Sequence, residues 1–153
     1  MRLKGMLQVT NDIIIPDVLS EKIGFYSNCT LAKNEIALFN MALSALSKYI
    51  IDMQIDLSNH MFLNVYISND NEISIYSENK NVLGCQFYAV LYPMNRLRLK
   101  PDGVILFVII EELAHYFLKI IDERLIKREV EKIYKYLVSD FTLEIYLKEY
   151  YND

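Results

Sequence analysis

The spacing of apolar residues changes period twice along the chain, and those changes outline its elements. After a short extended start over residues 6–15, broken by Pro16, the first sustained pattern is Ile36, Phe39, Leu43, Leu46, Ile50 and Met53. Steps of three and four put these side chains on one helical face. They predict a helix over residues 31–53, with Asn28 or Thr30 as its cap. The period then falls to two: Leu63, Val65 and Ile67 alternate, Ser68-Asn69-Asp70-Asn71 supplies turn chemistry, and Ile73 and Ile75 resume the alternation. A second polar turn, Glu78-Asn79-Lys80-Asn81, leads to a strand near residues 85–92. Leu97-Arg98-Leu99 reads as one more short extended piece. Pro101-Asp102-Gly103 then punctuates the entry to a very apolar helix over residues 104–122. Leu125, Ile126, Val130, Ile133 and Leu137 predict the next helix, from Asp122 to about residue 137, and a last helix covers residues 140–151. Helix, antiparallel strands, then consecutive helices is an α+β order rather than a doubly wound parallel sheet.

The apolar helix carries the one chemically pointed feature. At about 100° per residue, apolar side chains occupy most of its circumference. Glu111, Asp122, His115, Lys119 and Glu112 share the remaining sector. His115 lies one turn beyond the two glutamates, within reach of either. Two carboxylates and an imidazole on one narrow sector can chelate a cation or arrange a proton relay. The plainer alternative is a solvated helix edge with weak pairing worth about 0.2–0.5 kcal/mol.

Ile109-Ile110-Glu111-Glu112-Leu113-Ala114-His115-Tyr116-Phe117-Leu118 resembles the active-site helix of zincin metallopeptidases. In that helix two histidines at i and i+4 bind zinc, and the residue after the first is the general-base glutamate. The texture is similar to the small gluzincin domains found beside phage and mobile-element repressors. Those domains draw a third ligand, a glutamate, from the next helix. The resemblance implies a zincin-like α+β architecture: a helix, an antiparallel sheet, the active-site helix and following helices. It assigns His115 to the second zinc histidine, Glu112 to the general base, and Glu129, in Arg128-Glu129-Val130-Glu131-Lys132-Ile133, to the third ligand. Glu111 stands where the first zinc histidine belongs. A Glu111/His115/Glu129 set is harder than the zincin set and shifts preference from zinc toward manganese or iron. The function implied is a non-catalytic or weakly metal-binding interaction or regulatory module. The alternative is an active metal-dependent peptidase, holding an extended peptide on a strand edge.

Composition narrows the remaining classes. The chain's 153 residues fit one domain, with a zincin-like core over residues 31–137, and 53% apolar content suffices for a buried core. Net charge is −4 with Lys and Arg scattered, which disfavours a nucleic-acid partner. Cys29 and Cys85 stand far apart, outside any C-x-x-C pair, so a reduced cytoplasmic compartment is expected. The first dozen residues lack the apolar core of a signal peptide. The charges at Glu111, Glu112 and Lys119 argue against membrane insertion of the apolar helix. Abundant Ile, Asn, Lys and Tyr suggest AT-rich codons, as in AT-rich bacterial or phage genomes. His60 reads as an exposed loop residue. Tyr134, Tyr136, Tyr146, Tyr150 and Tyr151 crowd the C-terminal stretch, serving boundary packing or a protein-partner surface.

Overall fold

The computed structural model describes residues 2–3, 6–8, 12–76 and 86–137. Its elements in chain order are β1 (Arg2–Leu3), β2 (Leu7–Gln8), a 3-10 turn (Asp17–Leu19), β3 (Ile23–Ser27) and α1 (Lys33–Asp52). There follow β4 (Leu63–Ser68), β5 (Ile75–Tyr76), β6 (Tyr88–Pro93), α2 (Met94–Leu97), α3 (Asp102–Leu118) and α4 (Glu123–Tyr134). The mixed helix-and-sheet class expected from the sequence is present. The helix expected over residues 140–151 and Cys85 lie outside the described residues.

The strand pairing differs from expectation. Among the described residues the main sheet runs β2-β3-β4-β6, and β3, β4 and β6 are parallel; only β2 joins antiparallel. An antiparallel hairpin after β4 was expected because Ser68–Asn71 reads as a turn. Instead β5 pairs with β1 in a separate two-stranded ribbon, and the chain re-enters the sheet at the end where β4 begins. Burial explains the choice. Val65, Tyr66 and Ile67 are all buried, so β4 is covered on both faces, as parallel strands are.

Period two nevertheless sorts the side chains. Ile23 and Phe25 of β3 align with Leu63 and Val65 of β4, and these with Tyr88 and Val90 of β6. This row meets the helices: Phe39 of α1 sits edge-on to Phe25 and to Tyr92, with ring centroids 5.9 and 5.4 Å apart. Tyr26 and Tyr66 pair on the opposite face, centroids 5.6 Å apart. One buried cluster runs from Ile13 to Tyr134 and joins the sheet, α1, α3 and α4.

α1 starts later than the sequence suggests, with Ala32 rather than Asn28 or Thr30 at its N-cap. The Glu35 carboxylate accepts the Ala32 N–H at 2.8 Å. Arg98 grips the same carboxylate with Nε at 2.6 Å and Nη2 at 3.0 Å, and also donates to Thr30 O and Asn69 Oδ1. The segment expected to extend over residues 97–99 is therefore the end of α2 and a turn, which delivers this guanidinium to α1.

α3 is buried almost all round, since it packs against α1, α4 and β6. No helix among the described residues is long and apolar enough to cross a membrane. Tyr92, 1% exposed, donates its hydroxyl to the Ile109 carbonyl at 3.0 Å and fixes α3 on β6. Burial, and then the charge of Glu112, hold this phenol well above its ordinary pKa. Tyr92→Phe is expected to lower unfolding free energy by about 0.5–1.5 kcal/mol, the net value of one hydrogen bond. Denaturant unfolding checks this, and a loss above 3 kcal/mol would mean that the ring itself had shifted.

Candidate metal centre

α3 ends earlier than the apolar pattern implies. Lys119 occupies the left-handed region, φ 54° and ψ 38°, and closes the helix. Asp122 is consequently not on the polar sector of α3. It is the N-cap of α4, accepting the N–H groups of Arg124 and Leu125 at 2.9 Å each. The connection is so short that the first turn of α4 returns beside the last turn of α3. Glu123 lies in that first turn.

Three side chains meet there. Glu111, 6% exposed, and His115 are one turn apart on α3, and Glu123 comes from α4. Each offers one ligand atom, and these atoms all lie within 4.8 Å of one another. His115 Nδ1 is 2.6 Å from the Ile120 carbonyl oxygen. A carbonyl only accepts, so the proton sits on Nδ1. His115 Nε2 then faces Glu123 Oε1 across 3.8 Å. Either Nε2 carries a second proton and forms an ion pair, or its lone pair and the carboxylate share a cation.

The positions assigned by resemblance divide. Glu111 and His115 belong to the group. Glu112 is exposed and lines the adjoining cavity of about 450 Å³, together with His115, Glu123, Tyr88, Tyr116 and residues 89–90 of β6. Glu129 is held elsewhere, further along α4 than Glu123 by less than two turns, roughly 9 Å along the axis. Its carboxylate accepts the Tyr49 hydroxyl and, at 2.7 Å, the Lys132 ammonium. Desolvation raises the Glu129 pKa, but the bonds from Lys132 and Tyr49 outweigh it and leave the carboxyl below its ordinary range. Glu129 thus helps fasten α4 to α1. Among the described residues the acidic side chain from α4 that joins Glu111 and His115 is Glu123, not Glu129. The signal in the sequence was Asp122 as a helix cap: a new helix starting there puts its first acidic residue next to the end of α3.

His60 is not an exposed loop residue. It is 8% exposed, stacked on Phe117 and edge-on to Tyr116. Its Nε2–H donates to the Phe117 carbonyl at 3.0 Å, and among the described residues its Nδ1 is buried with no hydrogen-bond partner. Burial pushes this imidazole below its ordinary pKa of 6.5, against the upward pull of the Phe117 carbonyl. The unfolded chain takes up a proton near 6.5, and the folded chain only at lower pH. Stability present above that value is therefore lost as pH falls through it toward the folded pKa. His60→Gln is expected to flatten the fall in thermal midpoint between about pH 7.5 and 5.5. An unchanged slope would assign the fall to other groups.

Comparison of the chain with protein-family models, with curated proteins and with solved structures finds no match.

Proposed function

We propose that this chain is a metal-binding interaction or regulatory module on a zincin-like scaffold, with Glu111, His115 and Glu123 holding one divalent transition-metal ion. The observation that carries this reading is the orientation of His115. A metal-binding histidine almost always donates its second ring N–H to a carbonyl or carboxylate, which fixes the tautomer and aims the free nitrogen. The bond to Ile120 O does this and turns Nε2 toward Glu123.

The donor set fits such an ion. Zinc–ligand bonds of about 2.0–2.1 Å place tetrahedral neighbours roughly 3.3–3.5 Å apart. The His115–Glu123 separation of 3.8 Å needs only a small rotamer adjustment to meet that. One imidazole and two carboxylates suit zinc, manganese or iron. When bound, such an ion supplies Lewis acidity, which the second carboxylate blunts by adding negative charge. That is why binding is favoured here over peptide hydrolysis.

Thermal unfolding of the metal-free protein with added Zn, Mn or Fe(II) tests the site. A ligand at a hundred times its Kd adds about 2.7 kcal/mol, roughly 5–10 °C for a chain of this size. His115→Ala should abolish the shift. No shift with any of the three metals overturns the reading.

One observation favours a working peptidase instead. Glu112 lines the same cavity as His115 and lies near β6, the outermost described strand on that side of the sheet. In this second reading Glu112 acts as the general base beside an edge able to accept an extended peptide. Hydrolysis of a peptide mixture by the zinc-loaded protein, lost in Glu112→Gln, would establish that alternative.

A further inference from the structure

A second cavity, of about 330 Å³, adjoins the first and shares Tyr88, His115 and Tyr116 with it. Its other walls are Lys119 and the loop residues Asn59, His60 and Met61. The loop is strapped to α3 by the hydrogen bond from the Tyr116 hydroxyl to the Met61 carbonyl, and by the His60–Phe117 bond. The two chambers differ in charge. The first carries Glu112 and Glu123, whereas the second carries no carboxylate among its described lining residues. Lys119 is the one Lys or Arg among the described lining residues of either chamber.

We infer that this groove takes the free C-terminal end of a peptide. The terminal carboxylate rests on Lys119 and Asn59, and a large apolar last side chain lies against Tyr88, Tyr116 and Met61. The preceding carbonyl then points toward His115. The inference deepens the cation-site reading above and rests on it for the second chamber's neighbour.

The opposing effect is the partial negative charge at the C-terminal end of α3, which repels an anion. Here that end is partly satisfied. The carbonyls of Tyr116 and Phe117 accept the Lys119 N–H and His60 Nε2–H respectively. Asp56, outside the lining, opposes Lys119, but its carboxylate is occupied by the Ser58 N–H and Oγ–H, so Lys119 is the cation that the chamber itself presents. The apolar wall explains the preference for a large last residue: Tyr88 and Tyr116 lie with centroids 5.6 Å apart, and Tyr116 and His60 5.8 Å apart.

Two dansyl tripeptides, dansyl-Ala-Ala-Phe with a free carboxylate and the same peptide as its C-terminal amide, are titrated into the full-length zinc-treated protein by fluorescence. The acid is expected to bind about tenfold more tightly than the amide, the worth of one charge-assisted hydrogen bond near a surface. Lys119→Asn, whose new residue tolerates the left-handed conformation, should erase the difference, and Lys119→Arg should keep it. Equal affinities, binding of neither peptide, or a preference that survives Lys119→Asn would overturn the inference. Metal content of the same samples is measured separately. If zinc does not bind, the cation-site reading fails on its own, and the acid–amide comparison on the metal-free protein still decides the role of Lys119.

Discussion

Glu111→His is expected to raise zinc affinity by at least about 10–100-fold, the size of effect that even residues supporting the ligands have at a metal site. Position 111 sits one helical turn before His115, on the same flank of α3, with its side chain already in the group of three. An imidazole there replaces a Glu/His/Glu set with a His/His/Glu set, the ligand combination of thermolysin-type zinc enzymes. It also removes one negative charge from the site and softens the donor set, both of which favour zinc over manganese. Competition titration against a zinc chelator measures the change, with circular dichroism as the control for folding. An affinity unchanged or lowered in a folded variant would show that position 111 does not face the ion. Hydrolytic activity appearing together with the gain would show that the scaffold needs only this residue to act as a peptidase.

Arg98→Ala is expected to destabilise the fold by about 2–4 kcal/mol, or roughly 5–15 °C in thermal midpoint. The value lies below that for a fully buried ion pair because the guanidinium is 37% exposed, although its partner Glu35 is only 7% exposed. Removing the guanidinium leaves the Glu35 carboxylate buried with the Ala32 N–H as its remaining donor among the bonds described, and also frees Thr30 O and Asn69 Oδ1. The bond from Arg98 is the main cause holding the Glu35 carboxyl below its ordinary pKa of 4.5. A lowered folded value contributes stability that is complete above about pH 4.5 and is lost as pH falls through the folded pKa. The gap between native protein and variant should therefore narrow on acidification below that point. A gap that stays constant with pH, or a loss under 1 kcal/mol, contradicts this role for the pair.

The helices were the most legible part of the chain. Ile36, Phe39, Leu43 and Leu46 mark α1 because a helix packed on one side must repeat every three to four residues. The strands were less so. β3 is five residues long, Ile23-Gly24-Phe25-Tyr26-Ser27, too short to stand out from its surroundings, and it was missed. Parallel pairing of β4 with β6 was not visible either, because alternation looks the same in either direction and the partners are separated by the β5 segment. At the site, the Glu111–His115 relation followed from helical spacing alone. Glu123 did not, because its place depends on where α3 stops. Lys119, a non-glycine residue with positive φ, gives no strong stop signal in the sequence. One misplaced helix end put Asp122 on the polar sector of α3, and the choice of Glu129 came from the resemblance rather than from spacing.

Metal binding by two single variants tests the central arrangement most directly. Zinc is titrated calorimetrically into native protein, Glu123→Gln and Glu129→Gln, each metal-free at the start. The predicted result is one site per native chain, about tenfold weaker in Glu123→Gln and unchanged in Glu129→Gln. Native-like affinity in Glu123→Gln combined with loss in Glu129→Gln, or no binding by the native chain, would contradict a centre built from Glu111, His115 and Glu123.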